Sequence, residues 1–248
     1  MAGRKVGTVS YKQDLSSILT IFRLMPADGS VFPPSKAGQY IALKRDDCKL
    51  TKKIGVGDDG ATKYGPDLDD TGSQKIGAVT HSYSIASAPW EQEEHGYLEF
   101  YVVLEVIKKN EFGRLSSVFM NLNPETNNQI TYFDRITGNF TLDQRAADFD
   151  SVLMVGTGTG LAPFIAMAKQ LHHDAKNGSG NSRKYTILHT NRTYEELAYH
   201  QELLDIEKAE QFDFSYVPTV SRPTQRDLDD EGMGVGRANN VLRHMFGL

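Results

Sequence analysis

The segment from Val152 to Pro163, Val-Leu-Met-Val-Gly-Thr-Gly-Thr-Gly-Leu-Ala-Pro, limits the possible folds more than any other part of the chain. The apolar run Val152 to Val155 reads as a strand covered on both faces, the pattern of a central parallel strand. Gly156, Gly158 and Gly160, with Thr157 and Thr159 between them, form a turn whose backbone can approach a ligand closely. Pro163 suits the first turn of a helix, where a missing N–H costs nothing. A helix starting there presents unpaired N–H groups and the positive end of its dipole, which is how a protein grips a dinucleotide phosphate. Leu161 stands where the fingerprint G-x-G-x-x-G has its third glycine, so a plain strand-to-helix turn stays open on this motif alone.

The pattern changes near Asp148. Before it, short alternating segments bounded by Gly, Pro, Asn and Asp recur at Lys5–Tyr11, Ser17–Leu24, Tyr40–Lys44, Ser82–Ala86, Tyr97–Leu104 and Ile130–Phe133. Short strands without long helices predict an antiparallel β-barrel over residues 1–147. After it, strand-like runs at Val152–Val155, Tyr185–His189 and Phe212–Val217 alternate with helical patterns at Leu161–His172 and Tyr194–Lys208, which predicts an α/β domain with a parallel sheet over 148–248. A chain of 248 residues with 39% hydrophobic content can fill both cores. Residues 46–80 interrupt the first half. They are polar, rich in Gly, Asp and Lys, and without sustained periodicity, so they read as a long loop: a lid, a docking element for a partner, or a tolerated surface insertion.

A formal net charge of −5 argues against a dedicated nucleic-acid binder. One cysteine, Cys48, cannot build a disulfide framework, an iron–sulfur cluster or a structural zinc site. No metal site is expected, and the acidic run Asp227–Glu231 reads as a solvated loop. With no long apolar run for a membrane span and a strand pattern close behind Met1, the expected location is the cytoplasm.

Two further constellations carry chemistry. In His81-Ser82-Tyr83-Ser84, a strand would present an aromatic face and a hydroxyl side by side, as a flavin requires for stacking and for hydrogen bonding near N5; core and surface positions are the plainer alternative. Gly113-Arg114-Leu115-Ser116-Ser117 precedes a helical pattern at Val118–Leu122 and combines a glycine, a cation, hydroxyls and a helix start, the parts of a pyrophosphate seat. A capped surface helix, with Ser116 or Ser117 as N-cap, is the other reading.

In this order, barrel strands, His81–Ser84, Gly113–Ser116 and Gly156–Pro163, the chain resembles the ferredoxin-NADP reductase family, its bacterial ferredoxin/flavodoxin reductases above all. The resemblance implies an FAD-binding barrel followed by an NADP(H)-binding α/β domain. It implies that Tyr83 stacks on the flavin with Ser84 near N5, that His81 takes the place of an arginine on the flavin's phosphate or ribityl side, and that Tyr101, Val102, Val103 and Leu104 form a second flavin-contacting strand. Arg114, Leu115 and Ser116 would form the pyrophosphate turn. Gly156, Thr157, Gly158, Thr159, Gly160 and Pro163 would receive the second nucleotide, with Thr159 reaching toward the cofactors. Arg192, Ser221, Arg222 and Arg226 follow strand ends, where ligands bind in such sheets, and their forks and hydroxyl suit a 2′-phosphate, which points to NADP(H) over NAD(H).

The implied activity is an FAD-dependent transfer of electrons between NADP(H) and a one-electron carrier, ferredoxin or flavodoxin. The alternatives are the reductase component of an oxygenase or cytochrome system, and a non-catalytic flavin- or NADP-binding module of a larger complex. His172, His173, His189 and His200 have no catalytic part in this scheme. The chain stops soon after residues 236–242, just where the resemblance implies that it continues into another strand and a C-terminal segment over the flavin, so the α/β domain is expected to be incomplete at its C-terminus.

Overall fold

The computed structural model describes residues 3–57, 60–108 and 111–247. The first half is an antiparallel sheet of β1 (Arg4–Ser16), β2 (Leu19–Pro26), β3 (Tyr40–Lys49), and, beyond the hairpin β4 (Thr51–Val56) and β5 (Thr62–Pro66), β6 (Ile76–Ser84). After α1 (Pro89–His95) come β7 (Leu98–Val103), the small pair β8 (Val106–Lys108) and β9 (Glu111–Phe112), α2 (Arg114–Met120), β10 (Gln129–Phe133) and α3 (Leu142–Arg145). The six-stranded order is β6-β3-β10-β1-β2-β7, a half-barrel in which the segment just after β6 meets β7, where Ala86 N–H donates to Glu99 O at 2.8 Å and Glu99 N–H to Ser87 Oγ at 3.0 Å. Alternation of apolar residues along these strands fills the interior with Phe22, Leu24, Ile41, Leu43, Phe100 and Ile130, and α2 closes it with Leu115 and Phe119.

Residues 46–80 differ from the expected loop. β3 and β6 both run on into this segment, with a register shift between Arg45 and Cys48, and β4 pairs with β5 beyond them. A type-2 alternation is weak here because the hairpin stands off the core, with Ile54, Val56 and Tyr64 all exposed, so its strands carry no buried face to reveal them.

The second half holds β11 (Ser151–Thr157), α4 (Ala162–Lys176), β12 (Lys184–Asn191), α5 (His200–Lys208), β13 (Phe214–Val220), α6 (Gln225–Asp229), β14 (Gly234–Val235) and α7 (Ala238–Met245). All sheet pairs are parallel, in the order β11-β12-β13-β14. The two-residue β14 has no counterpart in the sequence reading, being too short for any periodic signal. The expected helix Tyr194–Lys208 is broken: a 3-10 turn covers Tyr194–Glu196, and Tyr199 is left-handed at φ 60° before α5 begins. The break is held by tertiary contacts, since Tyr101 Oη and Asn191 Nδ2 both donate to Glu196 O, at 3.2 and 2.5 Å, and Tyr199 Oη donates to Glu99 at 3.0 Å.

One apolar cluster joins the halves. Leu19, Ile21, Ala86 and Tyr101 from the barrel pack with Met154, Leu161, Ala162 and Ile165 from the α/β part. Beside it lies a buried ionic joint: Lys169 of α4 reaches Glu91 at 3.3 Å, Glu202 at 3.4 Å and Glu99 at 3.6 Å. Burial opposes its charge, but Glu99, Glu202 and Glu91 outweigh that cost and raise the Lys169 pKa.

Candidate functional site

The glycine turn after β11 is built by its packing. A Cβ on Gly156 would stand 3.0 Å from Leu161 Cα, so Leu161 can lie fully buried under the turn only because position 156 has no side chain. Gly158 adopts φ 53°, and Asn191 Oδ1 lies 3.7 Å from where its Cβ would be. Nothing lies within 4 Å of the Cβ position of Gly160, which leaves that face of the backbone open. The turn winds into a 3-10 segment, Gly158–Leu161, and then α4, with Pro163 in its first turn. Thr157 is exposed and Thr159 half-buried, and neither hydroxyl makes a hydrogen bond among the described residues.

On the barrel side, His81 and Tyr83 pair with Leu43 and Ile41 across β3 and share their face, whereas Ser82 and Ser84 point the other way. His81 is exposed. Tyr83 is half-buried with its ring 5.2 Å from that of Phe119, and burial, followed by the charge of Glu105, raises its phenol pKa. The hydroxyls of Tyr83 and Ser84 have no hydrogen-bond partner among the described residues. Ala86, two residues beyond Ser84, shares the apolar cluster with Leu161 and Ala162, so the end of β6 and the glycine turn are brought together by one core.

The phosphate-seat segment starts its helix earlier than expected, with Gly113 as N-cap and Ser116 and Ser117 inside α2 rather than capping it. Ser116 is buried; its Oγ accepts from Glu105 N–H at 3.2 Å and donates to Gly113 O at 3.4 Å. A Cβ on Gly113 would lie 2.5 Å from Ser116 Oγ and 2.6 Å from Glu105 Oε2. Leu115 is core. Arg114 is half-buried and has no ion pair among the described residues; with Ser117 and Asn121, and with Tyr64 of the β4–β5 hairpin, it lines a cavity of about 500 Å³.

The strand expected beside a flavin takes another position. Tyr101 is only 4% exposed, buried at the joint between the halves, and burial pushes its phenol up to about 12. Its hydroxyl is spent on Glu196 O, and Val102 belongs to the barrel core. Val103 is exposed and Leu104 half-buried, with Leu104 N–H donating to Ile18 O at 2.7 Å.

At the carboxyl ends of β12 and β13 the predicted cations do gather. Ser221 N–H donates to Asn191 O at 2.9 Å and Arg222 N–H to Arg192 O at 2.8 Å, which places both beside Arg192. Arg226 lies over the Tyr194 ring at 3.9 Å. Arg192 is engaged by Glu196, Nε donating to Oε2 at 2.9 Å and Nη2 to Oε1, and this raises its pKa. Beneath them, His189 Nδ1 and His200 Nδ1 each share a hydrogen bond with Tyr216 Oη at 3.2 Å, and His189 is pulled down to about 3 by burial, followed by the charge of His200. His172 and His173 lie in the last turns of α4.

Sequence reasoning missed Asn191, Glu196 and Lys169. The spacing Arg192-x-x-x-Glu196 was the available signal for the ion pair, since residues four apart meet on one helical turn. Asp227, expected in a solvated loop, is buried and caps α6, accepting from Thr224 N–H at 2.7 Å and Oγ1 at 2.9 Å.

Residues 154–241 match the family model of the oxidoreductase NAD-binding domain. No curated protein sequence matches the chain. Among solved structures, the chain is similar to the flavohem-like FAD/NAD-binding domain of a nitric oxide dioxygenase from Vibrio cholerae, at 18% identity and TM-score 0.66, covering 96% of this chain and 80% of that one. It is similar to a ferredoxin NADP+ reductase from Neisseria gonorrhoeae with bound FAD and NADP, at 19% identity and TM-score 0.63, covering 98% and 77%. An Amycolatopsis cytochrome P450 reductase shares 20% identity and TM-score 0.60, covering 98% of this chain and 59% of that one.

Proposed function

We propose that the chain, which has the fold of the ferredoxin-NADP reductases, is an FAD-dependent reductase moving electrons between NADP(H) and a one-electron carrier such as ferredoxin or flavodoxin. The observation that carries this reading is the meeting of two segments in one core: the chain just past β6, where Ala86 follows Tyr83 and Ser84, whose hydroxyls are unpartnered among the described residues, and the glycine turn with the open face of Gly160.

The residues fit FAD. Arg114 is a cation without a partner among the described residues, facing a cavity, and would hold a pyrophosphate with Ser117 beside it. Gly113 and Ser116 fix the turn that aims it. At the end of β6, Tyr83 would offer its ring and hydroxyl to the flavin end on the face it shares with exposed His81, and Ser84 its hydroxyl on the other face of the strand. Tyr101 is withdrawn from this set by its burial. When bound, FAD supplies the conversion between two-electron and one-electron chemistry.

For the second nucleotide, Thr157, Gly158, Thr159 and Gly160 would bind phosphate through backbone N–H groups and hydroxyls. Ser221, Arg222 and Arg226 would recognise the adenosine end at the edges of β12 and β13. The joint between the halves, apolar on one side and ionic around Lys169, keeps the two binding segments in fixed register, which is what transfer between two bound molecules needs. The physiological partner is a small carrier or the oxidised component of an oxygenase or cytochrome system, as in the reductases of similar fold.

The test is anaerobic mixing of the FAD-reconstituted protein with NADPH or NADH while the flavin absorbance is followed. Bleaching by NADPH, followed by reoxidation with a one-electron acceptor, is the expected result. Bound flavin that neither nucleotide reduces would sink the enzymatic reading and leave a binding module.

A further inference from the structure

Resting on the nucleotide site just described, we propose that Glu196 is a specificity-determining residue: by occupying the Arg192 fork it weakens recognition of a ribose 2′-phosphate and so narrows the preference for NADP(H) over NAD(H).

A guanidinium can take an anion side-on through paired N–H groups, and Arg192 already spends its Nε and Nη2 on Glu196. The carboxylate cannot simply swing away. Its side chain is 7% exposed, and its backbone carbonyl is pinned by Asn191 Nδ2 at 2.5 Å and Tyr101 Oη at 3.2 Å. The outer part of Arg192 is 42% exposed, so an arriving phosphate meets a cation whose charge is cancelled from behind. The 2′-phosphate is a dianion, and a fixed carboxylate one residue-length away repels it; a 2′-hydroxyl carries no such penalty. Arg226 is also partly committed, lying over Tyr194, whereas Arg222 has no side-chain partner among the described residues and is left as the uncompensated cation of the group. The selectivity expected from counting arginines in the sequence is therefore larger than the arrangement supports.

The experiment measures equilibrium binding of 2′,5′-ADP and of 5′-ADP to the FAD-loaded protein by calorimetry, for the wild type, Glu196→Gln, Glu196→Asp, and Arg192→Ala combined with Glu196→Gln. Glu196→Gln is expected to tighten 2′,5′-ADP by on the order of tenfold while leaving 5′-ADP within about twofold, because it frees one charged fork and removes one repelling charge. Adding Arg192→Ala should abolish that gain. Glu196→Asp, which keeps the charge on a shorter arm, should tighten 2′,5′-ADP by less than Gln and provides the reading if the Gln protein folds poorly. An unchanged ratio of the two affinities in both Glu196 variants, or weaker 2′,5′-ADP binding in them, would overturn the proposal; the second outcome would mean that Glu196 aims Arg192 at phosphate. Failure of the wild type to bind either nucleotide overturns the site itself, and the proposal with it.

Discussion

Two arginine-bearing regions, one in each half, are prepared in opposite ways. At the start of α2, Arg114 has no ion pair among the described residues and lines a cavity. At the ends of β12 and β13, Arg192 is paired with Glu196 and Arg226 lies against Tyr194. A cation left unpaired beside a cavity gains the full charge-assisted bond when an anion arrives; a cation already paired gains only the difference between two anions. The first region is poised for a tightly held, resident ligand, the second for one that exchanges.

The two halves that carry these regions are joined around Lys169, and that joint can be broken. Lys169→Ala leaves Glu91 and Glu202 without their buried cation, although Glu99 keeps Arg23 at 2.7 Å. Removing one partner of a buried ionic group costs about 3 kcal/mol or more, measured as the loss of unfolding free energy in denaturant. Flavin and nucleotide affinities should fall together. Loss of one without the other would show that the joint does not couple them.

Next in size is the direct contrast. Arg114→Ala should weaken FAD binding by about 10- to 100-fold, the value of a charge-assisted hydrogen bond, read by fluorescence titration of the apoprotein. Arg192→Ala in the wild-type background should change 2′,5′-ADP affinity by less than about threefold, because the ion pair has already discounted that cation. Equal losses at the two sites would erase the distinction.

Glycines sharpen the same contrast. Gly113→Ala places a Cβ against Ser116 Oγ and the Glu105 side chain, and should destabilise the fold by about 1–3 kcal/mol as well as displace the phosphate seat. Gly160→Ala meets nothing in the protein, so its melting temperature should hold while nucleotide affinity drops. A Gly160→Ala protein that binds nucleotide normally would show that no ligand approaches that face.

How much of this was legible in the chain depends on where each signal lives. The six barrel strands and the glycine turn are written locally, in alternation and in an apolar run ended by Gly-Thr-Gly-Thr-Gly, and they form where read, although the strand before the turn, β11, takes the sheet edge and not its centre, with Val152, Leu153 and Val155 half-buried. The gathering of Arg192, Ser221 and Arg222 follows from strand ends in a parallel sheet, a topological rule applied to sequence. What sequence hides is pairing. Whether Arg192 is free or neutralised depends on a helix broken at Leu197–Tyr199 by contacts from Tyr101 and Asn191, one of them 95 residues away in sequence. The fate of Tyr101 was hidden for the same reason, since an aromatic on a strand looks alike whether it faces a ligand or another domain. The β4–β5 hairpin escaped because an exposed hairpin needs no alternation of polarity.

The smallest expected effect separates the two regions by pH. His189 lies under the nucleotide region, whereas the barrel core beside Arg114 holds no histidine among the described residues. Its folded pKa, about 3, is below the ordinary histidine value of about 6.5, so the unfolded chain binds a proton that the folded chain refuses. Stability from this residue is therefore intact above pH 6.5 and falls as pH drops toward 3, by up to about 1.4 kcal/mol per pH unit. At pH 5.5 the folded protein still keeps His189 neutral, so its hydrogen bond with Tyr216 and the 3.3 Å approach of Asn191 Nδ2 to His189 Nε2 persist, and the cost appears only in the folding equilibrium. His189→Gln should therefore flatten the stability profile between pH 5 and 7 while leaving the nucleotide and FAD affinities of the folded protein unchanged over that range. Chemical denaturation of the wild type and of His189→Gln at a series of pH values decides it: an equally steep acid loss in both would place the acid-sensitive element elsewhere than under the strand ends.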